Sequence, residues 1–386
     1  MKNQKKRKIC FLITNRIHYA RQKRLLDILN KDPRFDLQLI LGGSVVVPKY
    51  GDKVFKEITN NGYNISDTLN TIVEGGNNIA MAKTTGISLI EFASAIDRLN
   101  PDIVILRGDR FEVLAGAIAA AYLNKTIAHI EGGDVSGTID ESVRHAITKL
   151  AHIHLTTNED SYNRVLRMGE NPKNVFNVGS LDVEHISSTN KKLSQKVIDN
   201  TASGAYLDIT KPFITVMQHP VTTETNNGEN ILETIEAVNN LGIQVLWFWP
   251  NADAGTDSIS KSIRMFREHK DPKNITFIKE LLPEDFYAVL RKTSCLVGNS
   301  SCGIKESSYI GVPVVNIGTR QNGRVKAKNV LDVRYDRKEI KNAIKSQMKN
   351  GFYEPSNLYY KPNTSKMVVK ILGEIEPETQ KAFFDL

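Results

Sequence analysis

The chain has 386 residues, too many for one typical core and suited to two domains of moderate size. Its apolar content, 40%, is that of a soluble globular protein, and no apolar run approaches the roughly 18–20 residues that cross a bilayer. The formal net charge is +8, but Lys2, Lys5, Lys6, Arg7 and Lys8 supply five of those charges. The remainder is mildly basic and has no basic stripe with interleaved aromatics, so neither a membrane nor a nucleic acid is expected as partner.

The basic start MKNQKKRK is followed only by the short apolar run ICFLIT and then a charged helix, so no signal peptide is expected. Cys10, Cys295 and Cys302 are too few and scattered for a disulfide framework, which points to a reducing cytoplasm.

Along the chain, short apolar runs alternate with helical patterns. KICFLIT (8–14), FDLQLIL (35–41), DIVILRG (102–108), TIAHIEG (126–132), HIHLTT (152–157) and VFNVG (175–179) read as strands. Each precedes a turn signal and usually an amphipathic helix, as in a parallel sheet covered on both faces. Residues 180–211 are polar and strand-poor and read as a connection with a short helix. A second series follows: FITVMQH (213–219), QVLWFWP (244–250), ITFIKE (275–280), CLVGNS (295–300) and VPVVNIG (312–318). The expected fold is α/β, two doubly wound Rossmann-like domains facing a central cleft, over 1–185 and 186–365. A terminal helix at about 366–386 can pack back on the first of them.

Nearly every unusual residue lies just after a strand, where ligands bind in such sheets. ITNR (13–16) places Arg16 at a βα loop and Arg21 one turn on; each is a phosphate ligand or a surface arginine. RGDRFE (107–112) places Asp109 at a strand end, as a working acid or a helix cap, with Arg110 free to pair with it or with an anion. HIEGGDVSGTIDESVRHAITKLAHIH (129–154) places Glu131 at the end of the next strand, and Asp140 and Glu141 at a helix start. Gly132, Gly133 and Gly137 let backbone come close to a ligand. Acids at a helix start can be mere caps, but converging carboxylates push their pKa values apart, which suits acid–base work. His152 and His154 alternate on a strand without metal-site spacing, so no metal is expected.

In the second series His219 ends a strand in VMQHPVTTE and is a structural or an acid–base histidine. WFWPNADAG reads as core aromatics followed by Asn251, a polar contact. In VGNSSCGIKE (297–306), Ser300, Ser301 and Gly303 open a helix whose N–H groups and hydroxyls can cradle a diphosphate. Glu306 follows where a carboxylate can take ribose hydroxyls, and NIGTRQNGR supplies Arg320 and Arg324. With no GxGxxG and no Gly-Lys-Ser/Thr, neither a dinucleotide cofactor nor a Walker loop is indicated.

Together HIEGGDVSGTIDESVRHAITKLAHIH, RGDRFE, QHPVTTE, PNADAG, GNSSCGIKE and GTRQNGR resemble the hydrolysing UDP-N-acetylglucosamine 2-epimerases of sialic-acid-type sugar synthesis, in the same order over roughly residues 8–335. The resemblance implies a glycosyltransferase-B type fold and a reaction without cofactor. UDP is eliminated to leave 2-acetamidoglucal, then water adds, giving N-acetylmannosamine and UDP. It gives catalytic roles to Asp109, Glu131, Asp140 and His219. It assigns Arg16, Arg110, Ser300, Ser301 and Arg320 to the UDP side, Glu306 to the ribose, Asn251 to a nucleotide-side contact and the backbone around Lys279, Glu280 and Leu281 to the uracil; Arg21 and Gly303 are added as UDP-side candidates from their own positions. A homodimer or homotetramer is implied as well.

Two departures lie near the sugar. Arg16-Ile17-His18-Tyr19-Ala20 stands where many members carry Arg-Ala-Asp-Tyr, and the loop GGSVVVPKYG lacks a histidine that many members have. They keep open a UDP-2,4-diacetamido-2,4,6-trideoxyglucose substrate. From another class, a catalytically inactive UDP-sugar sensor is the alternative.

Overall fold

A computed structural model describes residues 5–239, 241–251 and 253–385. Two seven-stranded sheets carry the chain. The first holds β1 (Arg7–Ile13), β2 (Phe35–Leu41), β3 (Ile65–Thr68), β4 (Ile103–Arg107), β5 (Thr126–Ile130), β6 (Ile153–Thr156) and β7 (Val175–Asn177), in the order β3-β2-β1-β4-β5-β6-β7. The second holds β8 (Ala202–Gly204), β9 (Phe213–Met217), β10 (Gln244–Phe248), β11 (Ile275–Ile278), β12 (Cys295–Gly298), β13 (Val314–Ile317) and β14 (Val330–Val333), in the order β14-β13-β12-β9-β10-β11-β8. All pairings are parallel except β8 with β11.

The central strands are buried at every position, as in IVILR of β4 and TIAHI of β5, because helices cover both faces. The strands absent from the sequence reading, β3, β8 and β14, are edge strands whose residues, Val333 apart, are exposed or half-buried, and such segments carry no long apolar run. The connection after β7 contains two helices, Leu181–Ser188 and Gln195–Thr201, where one was expected.

Helix Asn78–Leu99 corrects the composition-based expectation: it is long and apolar enough to cross a membrane by length and composition. Here it lies on the first sheet, burying Phe92, Ala95 and Ile96 against Val113, Ala117 and Ala120. The terminal helix is shorter than expected, Thr364–Glu374. Its Val368, Val369 and Leu372 pack beside Leu25 and Leu29 of helix Lys23–Lys31, in the core of the first sheet. Residues 375–385 then run non-helical along that sheet's helices. Thr126 Oγ1 donates to Glu378 O (2.8 Å) and Lys381 Nζ to Lys149 O and Ala151 O (2.7 Å each).

Each sheet reverses its strand order between two central strands, β1 and β4 in the first, β9 and β12 in the second. The crevices outside those strand ends are where α/β sheets bind ligands, and here they face each other.

Candidate active site

Arg107 is the last residue of β4 and is buried. Its guanidinium bonds Glu131 Oε1 (3.0 Å) and the fully buried Asp182 of helix Leu181–Ser188. Gly108 turns the chain at φ +75° and delivers Asp109 to the cleft. Asp109 does not cap the next helix; its carboxylate pairs with buried Arg144 of helix Ile139–Leu150. Arg110 is not its partner either. It binds Glu112 (3.0 Å) and, across the cleft, Asp253 (2.8 Å). His129 holds this turn in place, with Nε2–H donating to Gly108 O (2.8 Å) and Nδ1 facing Thr148 Oγ1 (3.1 Å). Burial lowers it to about 4, so it is neutral at pH 7.

Glu131 follows β5 in the left-handed region, φ +71°, which costs a non-glycine residue of order 1–3 kcal/mol. Burial alone would raise its pKa. Arg107 and Lys305 overcome that and hold it well below the ordinary range, as a carboxylate. Lys305 belongs to the other half and bonds Glu131 Oε1 at 3.0 Å and Asp134 Oδ2 at 3.2 Å.

The three glycines of this loop were expected to admit a ligand. The structure corrects that, because each admits protein. A Cβ on Gly132 would meet His129 and Thr148 at 3.0 Å, and one on Gly133 (φ +80°) would meet Ser161 O at 2.3 Å. A Cβ on Gly137 would lie 1.9 Å from Thr319 O of the opposite half, and the Gly137 N–H donates to Arg320 O at 3.1 Å.

Asp140 sits in the first turn of helix Ile139–Leu150, whose cap is Thr138; Thr138 Oγ1 accepts its N–H at 3.2 Å. Glu141 accepts the Ser136 N–H at 2.7 Å and so closes the loop. Burial raises the Asp140 pKa, Arg320 opposes this, Asp253 adds to it, and the net direction is up.

In the second half, buried Asn299 is a hub. Its Oδ1 accepts the His219 N–H (2.7 Å) and its Nδ2 donates to His219 O (2.9 Å), while its own carbonyl accepts from Arg320 Nη1 (3.2 Å) and Gln321 Nε2 (2.8 Å). His219 Nδ1 accepts the Asn251 N–H at 3.2 Å, which leaves the proton on Nε2. Burial, helped by Arg320, lowers His219 to about 3, so it is a neutral imidazole. Asn251 thus acts here through its backbone.

Ser300 and Ser301 follow β12 in a 3₁₀ turn, Ser301–Gly303; the α-helix starts only at Glu306. Gly303 packs against Val314, with a Cβ contact of 3.0 Å, and does not open onto the cleft through its missing side chain. Glu306 is fully buried, and Arg21 bridges its Oε1 and Asp182 Oδ2 at 3.0 Å each. Burial raises Glu306; Arg21 opposes this and Asp182 adds to it. Arg16 binds Glu280 at 2.6 Å, between exposed Lys279 and half-buried Leu281. The two arginines expected on a phosphate therefore bridge the halves here, because acids of the second half face them, half-buried Glu280 and fully buried Glu306. Trp247 and Phe248 are core, as expected. His152 bonds Ile127 N and Thr379 O, and His154 bonds Glu170, so both serve the sheet and the C-terminal segment.

The sequence reading brought Asp109, Glu131, Asp140, His219, Ser300, Glu306 and Arg320 to strand or helix ends, and they line the two facing crevices. It missed Arg107, Asp134, Asp182, Asp253, Asn299 and Lys305, and placed Arg144 on the first turns of the Asp140 helix without giving it a role. Only Arg107, a charge closing an otherwise apolar strand, and Asn299, polar between Gly298 and Ser300, carry a local signal. Chemically, a charged carboxylate, a carboxyl with a raised pKa and a neutral imidazole carrying Nε2–H share one cleft. Groups separated in this way can take and return a proton.

The model of the family described as UDP-N-acetylglucosamine 2-epimerase matches residues 27–373. A UDP-N-acetylglucosamine 2-epimerase of Neisseria meningitidis serogroup B is 32% identical over 389 residues, covering 99% of each chain. A hydrolysing UDP-N,N'-diacetylbacillosamine 2-epimerase of Legionella pneumophila is also 32% identical, covering 97% of each. Among solved structures, the Methanocaldococcus jannaschii UDP-GlcNAc 2-epimerase in complex with UDP-GlcNAc and UDP superposes with TM-score 0.79 at 18% identity, covering 95% of this chain and 99% of that one. Its fold is the glycosyltransferase-B type expected from the sequence. With the family model spanning most of its length and a relative matched end to end, the chain belongs to the UDP-N-acetylglucosamine 2-epimerase family.

Proposed function

We propose that the protein is a hydrolysing UDP-N-acetylglucosamine 2-epimerase that releases N-acetylmannosamine and UDP. The observation carrying this reading is the split of proton affinities in the cleft. Glu131 is held charged by Arg107 and Lys305, and Asp140 is pushed toward its protonated form. The C2 proton of a UDP-sugar needs a charged carboxylate close by in a site that excludes water. In our reading Glu131 takes that proton, the bond from C1 to UDP breaks, and 2-acetamidoglucal forms. Water then adds to C1 and Asp140 returns a proton to C2 on the other face. Asp109, fixed by Arg144, and the Nε2–H of His219 orient the sugar and the departing diphosphate oxygen. Ser300, Ser301 and Arg320 take the diphosphate and Glu306 the ribose, once Arg21 and Arg16 exchange their carboxylate partners for the nucleotide.

The second reading, hydrolysis of a UDP-2,4-diacetamido-2,4,6-trideoxy sugar, is favoured by the Legionella pneumophila relative, equal in identity to the Neisseria meningitidis one. It is also favoured by His18, buried beside Thr14, where many relatives carry an acid. Cys10, Cys295 and Cys302 are all buried and unpaired, which fits a cytoplasmic enzyme.

The test is a proton NMR time course in D2O. N-acetylmannosamine deuterated at C2 together with UDP is the expected product from UDP-N-acetylglucosamine. Turnover of the diacetamido substrate alone overturns the substrate assignment, and UDP-N-acetylmannosamine as product overturns hydrolysis.

A further inference from the structure

Glu131 has two cationic partners of different kinds. Arg107 is in the same half, one strand away, and is fixed from behind by Asp182. Lys305 reaches Glu131 from the opposite half, 174 residues along the chain, with its side chain only 2% exposed. It stands on the segment Ser300–Glu306, between the serines after β12 and the carboxylate of Glu306. Any motion that brings this segment to a nucleotide also moves the Lys305 ammonium. One cation on Glu131 is thus supplied by its own half and the other by the opposite half.

We propose that Lys305 is a positioning residue that couples closure of the cleft to proton abstraction, by completing the charge and orientation of Glu131 only in the closed state. The proposal rests on the reading above, in which Glu131 takes the C2 proton. A buried ammonium is costly, and a well-packed apolar residue would hold the halves at least as well. What an apolar residue would not supply is a second positive charge on a strained carboxylate. Arg324 makes a related reach, with Nε donating to Val135 O at 3.1 Å, but its charge faces Asp134 and not Glu131. The other groups around Glu131 are Arg107 of β4, His18 and Arg21 near the first helix, His129 of its own strand, Asp134 of its loop and Asp182 behind Arg107, all of its own half, and the uncharged Tyr359, whose hydroxyl donates to Val325 O of the opposite half. Opening thus subtracts one cation, and Glu131 then holds a proton to higher pH.

The experiment compares wild type, Lys305→Met, Lys305→Arg and Glu131→Gln by UDP release across pH 5–9, with UDP affinity measured by calorimetry. Wild-type turnover and its loss in Glu131→Gln come first; if either fails, the fault lies with the proposed function. Given both, Lys305→Met should lower kcat about 30-fold and leave the UDP dissociation constant within about threefold. It should also move the acid limb of the kcat profile to higher pH, and Lys305→Arg should restore most of both. An unmoved acid limb, or a loss of UDP affinity as large as the loss of kcat, overturns the proposal. Small-angle scattering of the unliganded full chain is independent of turnover. Lys305→Met should leave the radius of gyration unchanged, because an apolar residue holds the halves at least as well; an enlarged radius would make Lys305 a clasp between the halves and sink the proposal. Should the Met variant not fold, Lys305→Gln takes its place in every arm.

Discussion

The two halves share the order of six parallel strands and differ in the seventh, but build their strand ends with opposite chemistry. In the first half the functional groups are charged and held by charge: Asp109 by Arg144, Glu131 by Arg107, Arg107 by Asp182. In the second half they are largely neutral and held by amides: His219 by both ends of Asn299, and Asn299 in turn receiving Arg320 and Gln321. A buried charge demands a partner, so the first half can hold a carboxylate at an extreme of proton affinity. Neutral hydrogen bonds fix geometry without opposing an incoming anion. Acid–base work and diphosphate binding are thus allotted to surfaces suited to each.

The largest effect is expected at Glu131. Glu131→Gln should reduce kcat by about three orders of magnitude while UDP affinity changes little; steady-state rates with calorimetry decide it, and retained turnover would remove Glu131 from the chemistry. Asn299→Ala should be the gravest lesion on the neutral side. It frees His219 and leaves its backbone groups unpaired, with a loss of roughly 100-fold in kcat/KM and about 2–3 kcal/mol in stability, read by kinetics and denaturant melts.

Gly137→Ala tests the seam between the halves. The new Cβ meets Thr319 O, so closure should be impeded, kcat/KM should fall about tenfold, and scattering should show a larger particle; a normal enzyme would mean that the seam yields cheaply.

A pH effect follows from His219. Its folded value, about 3, lies below the unfolded value of roughly 6.5, so below that pH the unfolded chain takes up a proton that the folded chain refuses. The stability it contributes is full above pH 6.5 and is lost as pH falls toward 3, at up to about 1.4 kcal/mol per pH unit. His219→Gln should flatten that acid limb in thermal melts between pH 4 and 7, and an identical slope would show that the imidazole does not stay neutral.

The smallest effect is expected at Lys381, whose ammonium meets carbonyls at the end of helix Ile139–Leu150, far from the cleft. Lys381→Met should lower Tm by about 2–4 °C, with activity nearly unchanged.

Much of this site was legible because strand ends are legible. Asp109, Glu131, His219 and Ser300 each follow an apolar run, and periodicity alone puts them at a crevice. Their partners were not legible for a physical reason. Arg144 lies on the buried side of an amphipathic helix, where a sequence pattern expects an apolar residue; it is there because Asp109 and the Asp134 carbonyl face it. Gly137 reads as a loop glycine, yet its missing side chain is needed by a carbonyl of the other domain.

The sequence by itself determined the two βα series and the placing of candidate acids and the histidine at strand and helix ends, because periodicity, turns and caps are local. Only the tertiary structure decided which charge each group meets. Arg110 finds Asp253 143 residues away, Lys305 finds Glu131 at 174, Arg16 finds Glu280 at 264 and Arg21 finds Glu306 at 285. An ion pair across a cleft leaves no local mark on either partner, and its strength depends on burial that exists only once both sheets have folded and met.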